Sequence, residues 1–393
     1  MKYITRLLEA KIHHAVARNK SVLLFGARQT GKTTLVRQFE TALSISLVRP
    51  EVRQRYERSP DQLAGEVDAL ARRRGGGRPL VVVDEVQKVP ALLDVVQDLI
   101  DRGRANFVLT GSSARKLRHG AAVNLLPGRV ATLRLDPFSL REIPAPSVEE
   151  RLLHGSLPGI VAVPNRSDRE TDLESYVTTY LEEEVRAEAL VRRMGDFARF
   201  LELAASESGN IVNTRKLSQE IGVAHTTIAG YYHILEDCLI AERIEPLTHS
   251  ATRKKLTKSE KYLFFDLGVR RLAAREGSRP SRETFGRLFE QFVGLELVRC
   301  AHIQHPAMKI RFWRDPDGPE VDWVIDHDGA YTPVEVKWTD RPQLGDVRGL
   351  EIFLQEYASS KQGYLVCRVP RNMQLSRRIT AVPWQSTDEL ISG

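Results

Sequence analysis

The chain has 393 residues, 42% hydrophobic and 28% charged, with a net charge of +7. That length exceeds one ordinary core and predicts two or three domains in a soluble globular protein. Three separated cysteines, Cys238, Cys300 and Cys367, with no CxxC pair argue against a disulfide framework or zinc cluster; with no apolar run long enough to span a membrane, they make the cytoplasm the expected compartment.

The first segment alternates strands and helices. An amphipathic helix runs to about Asn19, then come a strand "SVLLF", a glycine loop, a helix from Lys32, a buried strand "PLVVVD" and another, "NFVLTGSS". That rhythm implies an α/β fold with a parallel sheet covered by helices. "RRRGGGRP" reads as a basic loop before the second strand, and the proline- and acid-rich "REIPAPSVEE" as a domain boundary.

Between the first strand and its helix, "GARQTGKT" fits G-x-x-x-x-G-K-[ST] in the strand-loop-helix context that motif needs. Gly26 and Gly31 let the backbone N–H groups face phosphates, helped by the positive end of the helix. Lys32 is placed to reach the β- and γ-phosphates of ATP, and Thr33 to offer its hydroxyl to Mg²⁺. The whole loop, Gly26, Ala27, Arg28, Gln29, Thr30, Gly31, Lys32, Thr33 and Thr34, is the candidate nucleotide site, with Arg28 a further anion contact. Downstream, "LVVVDE" ends in paired acids: Asp84 is expected to hold the magnesium and Glu85 to polarise the attacking water. Thr110 and Ser112, ending the next strand, could sense the γ-phosphate if that strand lies beside the Asp84 strand. In "LLPGRV", Arg129 is a candidate finger across a subunit interface, or an ordinary loop arginine.

From Arg151 to about Ile244 the pattern is mainly helical. "NTRKLSQEIGVAHTTIAGYYHILEDCLI" has the rhythm of a helix-turn-helix with its turn at Gly222, and the segment after it resembles a two-stranded wing. Between Arg243 and Tyr262, Arg243, Arg253, Lys254, Lys255, Lys258 and Lys261 stand against Glu245 and Glu260. A DNA binder would offer His225, Thr226 and Thr227 to the groove and the wing lysines to phosphates. A protein-packing module with a solvated wing would look the same.

The last segment opens with a helix, "FGRLFEQFVGLELVRC", and turns to strands: "MKIRFW", "EVDWVID", "TPVEVKW" and "GYLVCR". Period-2 geometry puts Glu335 and Lys337 on one face, with Val334, Val336 and Trp338 on the other. Pairing across "HDGAYT" could bring Asp322 beside Glu335. Two carboxylates there can hold Mg²⁺ or Mn²⁺ against a phosphate, with Lys337 orienting water and Glu290 completing the set from the helix. Read alone, the string is equally a strand face with a solvated Glu/Lys pair.

The chain resembles a family of bacterial and archaeal ATP-binding proteins in which an AAA+-like P-loop ATPase is fused to a winged helix and a domain like PD-(D/E)xK nucleases. "GARQTGKTTL", "LVVVDEVQKVP", "LTGSSARKL", "LPGRV", "LDPFSLREI", "GSLPGIV", "YLEEEV", "KYLFFDLGV", "FGRLFEQFVGLEL", "FWRDPDGPEVDWVI" and "PVEVKW" carry the likeness in order. It implies an ATPase domain over 1–145, a helical region with a winged helix over 151–265, and a restriction-endonuclease-like α/β domain over 266–393. It also implies ATP and Mg²⁺ as cofactors, and nuclease-motif positions at Glu290, Asp322, Glu335 and Lys337. Pro319 is displaced from Asp322 relative to the usual proline. The expected function is an ATPase whose nucleotide state controls a nuclease-like module, acting on DNA, in a chain that could form homo-oligomers. The alternative is a nucleotide-dependent switch or DNA-binding regulator whose nuclease-like domain is inactive.

Overall fold

The computed structural model describes residues 3–73, 77–112, 128–144, 147–181, 193–248, 256–305, 307–315 and 318–392. The expected wing residues Arg253, Lys254 and Lys255, and residues 74–76 of the basic loop, lie outside them. The chain divides into two compact units, Met1–Pro137 with Asp237–Leu239, and Phe138–Glu236 with Ile240–Gly393.

The first unit contains helices α1 (Leu7–Ala17), α2 (Lys32–Val36), α3 (Pro50–Arg58), α4 (Gln62–Arg73) and α5 (Leu92–Asp101), and strands β1 (Ser21–Phe25), β2 (Leu43–Ser46), β3 (Leu80–Asp84), β4 (Asn106–Gly111) and β5 (Val130–Arg134). The strands form a parallel sheet in the order β2-β3-β4-β1-β5. Every residue of β1, β3 and β4 is buried, as a parallel sheet covered on both faces requires. On one face Leu8 and Ile12 of α1 and Leu35 and Val36 of α2 pack on Val22, Leu24, Val82 and Val108. Burial of each such side chain contributes roughly 1.5–3 kcal/mol. α5 buries Leu92, Val96 and Leu99, one apolar stripe at helical spacing. Because β4 hydrogen-bonds to both β1 and β3, the strand ending in Thr110 lies between the loop-bearing strand and the acid-bearing one.

In the second unit, α6 (Val148–His154), α7 (Pro158–Ala162), α8 (Arg166–Ser175), α9 (Met194–Ser206), α10 (Thr214–Ile221) and α11 (His225–Asp237) precede a hairpin of β6 (Ala241–Ile244) and β7 (Lys261–Phe264). Asn213 caps α10 by accepting from Lys216 N, and Gly222 ends it in the left-handed region. α11 buries Ile228, Tyr231, Tyr232 and Leu235, while His225 and Thr226 are exposed.

α12 (Leu267–Ala273) and the 23-residue α13 (Arg282–Gln304) lead into strands β8 (Lys309–Arg314), β9 (Glu320–His327), β10 (Ala330–Val336), β11 (Gly363–Cys367), β12 (Met373–Ser376) and β13 (Ile379–Pro383), with α14 (Arg348–Glu356) between β10 and β11 and α15 (Glu389–Ser392) after β13. These form a mixed sheet in the order β12-β13-β11-β10-β9-β8. α13 packs Phe289, Phe292 and Val293 with Trp323, Val334 and Val336 on one face. On the other, α14 packs Leu350, Phe353 and Leu354 with Val321, Val324 and Leu365. Leu247 N donates to Phe312 O at 2.7 Å and Thr257 N to Arg314 O at 3.2 Å, so the residues just after β6 and shortly before β7 tie the hairpin to this sheet.

The β9–β10 turn is two residues, Asp328 (φ 51°) and Gly329 (φ 83°), with His327 opposite Ala330. Two positive φ values make the turn whose twist matches its strands, which is why Asp-Gly stands there. The register places Trp323 opposite Val334, and its next step sets Asp322 opposite Glu335.

Candidate functional site

At the C-terminal end of β1 the chain turns through Gly26 into the loop. A Cβ on Gly26 would sit 2.4 Å from Leu135 O and 2.8 Å from Thr30 Oγ1, so only glycine permits this approach. Gln29 takes a positive φ of 62°, and Thr30 Oγ1 donates to Ala27 O at 2.9 Å. Lys32, 6% exposed, curls over the loop and donates to Gly26 O at 2.8 Å and Ala27 O at 3.0 Å. The loop is also held from outside. Buried Arg6, at the start of α1, donates to Thr30 O at 2.8 Å and Asp136 O at 2.6 Å.

The acids at the end of β3 meet this loop. Thr33 Oγ1 donates to Asp84 Oδ1 and Oδ2 at 3.2 and 3.1 Å, Ser46 Oγ to Oδ2 at 3.4 Å, and Thr110 Oγ1 to Oδ1 at 2.6 Å. Thr110 Oγ1 also accepts from Glu85 N at 3.0 Å. Glu85 leaves the strand with φ 62°, and its Oε2 accepts from Ser112 Oγ at 3.1 Å and from Gln87 Nε2, which also donates to Ser112 Oγ at 3.0 Å. The structure therefore brings together the loop 26–34, Asp84, Glu85, Thr110 and Ser112. Sequence reading missed Arg6, Ser46 and Gln87. Of these only Gln87, two residues past the acids in "DEVQK", carried a local signal.

Arg129 does not join this group. It precedes Val130, which pairs with Ser21 at the start of β1, at the opposite end of the sheet from Gly26. Its guanidinium forms a two-pronged pair with Asp101, Nε to Oδ1 at 2.6 Å and Nη2 to Oδ2 at 3.0 Å, which lowers the Asp101 carboxyl and raises the guanidinium.

In the second unit Asp322 and Glu335 are both buried, and Asp322 Oδ2 accepts from Val336 N at 2.9 Å. Burial, reinforced by the Glu335 and Glu290 charges, holds Asp322 well above the usual carboxylate range. Burial also raises Glu335, opposed by Lys337, whose Nζ donates to Glu335 Oε1 at 2.6 Å. Burial disfavours the Lys337 charge, but the Asp322 and Glu335 carboxylates outweigh it and raise the ammonium. Among the described residues Glu335 Oε2, which is buried, has no hydrogen-bond partner.

Glu290 approaches from α13 and pairs with Lys261 Nζ at 3.3 Å. Lys261, expected among the wing lysines, is instead 12% exposed at the side chain and lies over the Phe312 and Trp323 rings at 4.9 and 5.3 Å. Among the described residues no group of three or more His, Cys, Asp or Glu is disposed to hold a metal ion. The expected trio is thus a carboxylate pair, Asp322 and Glu335, with Glu290 engaged by a lysine from the hairpin. The described residues include no helix long and apolar enough to cross a membrane.

Residues 18–144 match the family model described as AAA domain, and the N-terminal part of the chain is of that type. Residues 145–279 and 285–387 match two domains of unknown function, DUF8612 and DUF4143. The uncharacterized proteins Mb2031c of Mycobacterium bovis and Rv2008c of Mycobacterium tuberculosis are each 26% identical, over 98% of this chain and 86% of theirs. Among solved structures, Cdc6p from Pyrobaculum aerophilum is 14% identical with a TM-score of 0.30, covering 71% of this chain and 97% of its own. Can2 from Sulfobacillus thermosulfidooxidans, in complex with cyclic tetra-adenylate, is 9% identical with a TM-score of 0.23, covering 94% and 98%.

Proposed function

We propose that this chain is a Mg²⁺-dependent ATPase whose nucleotide state controls a nuclease-like module acting on DNA. The observation that carries the reading is the meeting of the Lys32 loop with the Thr33–Asp84 pair at 3.1–3.2 Å. Asp84 with the hydroxyls of Thr33 and Ser46 offers the hard oxygen donors that suit magnesium. Bound there, the ion would neutralise charge on the β- and γ-phosphates. The residues of the chain do the rest. Backbone N–H groups of 26–34 cradle the phosphates, and Lys32 swings from the Gly26 and Ala27 carbonyls to the γ-phosphate. Glu85, held by Gln87 and Ser112, takes a proton from the attacking water. Arg129, remote from its own loop, acts only on a neighbouring copy in a homo-oligomer.

For the second half, the proposal divides the chain into a winged helix within 151–265 and a PD-(D/E)xK-like domain over 266–393. The Asp322–Glu335 pair and the unpartnered Glu335 Oε2 support it, since a buried carboxylate oxygen without a donor suits a cation, Mg²⁺ or Mn²⁺. Such an ion would offset charge on a scissile phosphate. Glu335 also orients Lys337, which can position water beside it. A second reading, a switch whose nuclease-like domain no longer cuts, is favoured by the pairing of Glu290 with Lys261.

Lys32→Ala is expected to abolish ATP binding, and unchanged affinity would remove the loop assignment. Glu85→Gln should keep ATP and lose turnover by about 10² or more. Incubation of plasmid and linear DNA with Mg²⁺ or Mn²⁺, with and without ATP, separates the two readings. Cutting lost in Lys337→Ala supports the first, whereas intact DNA, or equal cutting by the variant, leaves the switch.

A further inference from the structure

Beside Thr33 and Asp84, on the β2 side of the first unit, lies a cavity of about 370 Å³. It adjoins the nucleotide loop, sharing Thr33 with it, while its three arginines lie outside 26–34. Its walls come from the end of α2, from β2 and from α3, and Ser46 shares its floor with Thr33 and Asp84.

Its charge is unbalanced. Arg37, Arg49 and Arg55 all line the cavity, and among the described residues none of their side chains forms an ion pair or hydrogen bond. Glu66 and Asp84 line the cavity too but, among the described residues, pair with none of these arginines, so the lining carries one positive charge in excess. Glu66 accepts from Tyr56 Oη at 2.7 Å and from Gln62 Nε2 at 2.8 Å, and Asp84 accepts from three hydroxyls. By contrast Arg53, on the same helix but not lining the cavity, pairs with Glu57 at 3.7 Å. Three guanidiniums without direct acid partners around one concavity attract an anion among them. Guanidinium forks match phosphate oxygens, and the volume is that of a small-molecule pocket rather than of an open nucleic-acid groove.

We propose that this cavity binds a small phosphate monoester, held by Arg37, Arg49 and Arg55 next to the Thr33–Asp84 pair. The arginines that hold it lie outside the loop 26–34, so the site does not require Lys32 or a bound nucleotide. Its position does give an occupant access to Ser46, and so a route to the hydrogen bonds around Asp84.

Equilibrium dialysis with radiolabelled orthophosphate, at constant ionic strength, tests it on the full chain. Lys32→Ala protein should retain one saturable site, as should the wild type with its loop filled by ADP. The Arg37→Gln/Arg49→Gln/Arg55→Gln protein, altered only at exposed positions, should bind at that site more weakly by about tenfold or more. Ribose 5-phosphate should displace the label. Unchanged affinity in the triple variant overturns the proposal, as does absence of a saturable site in both loop-blocked forms. Displacement by a 5′-phosphorylated oligonucleotide but not by ribose 5-phosphate would overturn the small-molecule assignment in favour of nucleic acid. Failure of the nucleotide reading shows separately, as equal ATP affinity in wild type and Lys32→Ala.

Discussion

The hydroxyl of Thr110 donates to Asp84 Oδ1 at 2.6 Å and accepts from the backbone N–H of Glu85 at 3.0 Å, so one fully buried atom fixes both acids at the end of β3. Thr110→Val keeps the shape and removes both bonds. It should lower stability by about 1–3 kcal/mol, read by denaturant unfolding, and reduce ATP turnover more than ATP affinity. An unchanged unfolding midpoint would show that the two acids find other partners.

Arg6 ties the phosphate loop to the segment after β5 through the Thr30 and Asp136 carbonyls. Arg6→Met leaves both acceptors without that donor, and each charged hydrogen bond is worth roughly 1.5–3 kcal/mol. The expected outcome is a lower melting temperature and weaker ATP binding, measured by calorimetry. Weaker binding should disappear at saturating ATP, where turnover approaches the wild-type value.

The Asp322–Glu335 pair makes a pH signature. Both carboxyls are raised in the folded chain, so the fold binds more protons than the unfolded chain across the interval between their unfolded and folded pKa values. Stability from this pair is therefore full below the ordinary carboxylate range and is lost as pH rises through the raised values. In chelator-treated protein, Asp322→Asn should flatten that decline and melt higher than wild type at pH 8. A steeper decline in the variant would contradict the assignment.

Added Mn²⁺ should reverse the same loss. If Asp322 and Glu335 hold the ion, wild-type protein should gain melting temperature with metal concentration and Asp322→Asn should not. Lys261→Met releases Glu290 and removes a nearby positive charge, so it should increase the Mn²⁺ response, read by titration calorimetry. An identical response in Lys261→Met would leave Glu290 without a part in metal binding.

The parts of this architecture legible in the sequence are those whose cause is local. The run from Ser21 to Lys32 contains its own strand, glycine approach and helix start, and Leu80–Asp84 and Asn106–Gly111 are buried over their whole length. The hairpin at Asp328–Gly329 likewise declares itself through its turn residues. Contacts that neither a motif nor a hairpin announces were not legible. Arg6 reads as an ordinary helix-start arginine until β1 and β5 bring Asp136 beside it. Lys261 reads as a solvated wing lysine until α13 and β9 enclose it with Glu290 and Trp323. β2 was also missed, because Leu43, Ser44, Ile45 and Ser46 form a short edge strand whose serines dilute the apolar signal.

The two-residue turn between β9 and β10 acts as a length gauge. Side chains alternate across a strand, so one extra residue absorbed there as a register slip would carry Glu335 and Lys337 through the sheet, toward α13, and send Val334 and Val336 toward α14. The strands could still pair, yet the carboxylates would lie on opposite faces. In lineages that lengthen this loop, the second unit can keep its outline while losing its paired acids. Counting residues between Asp322 and Glu335 is therefore a quick way to sort relatives that retain the carboxylate pair from those that retain only the shape.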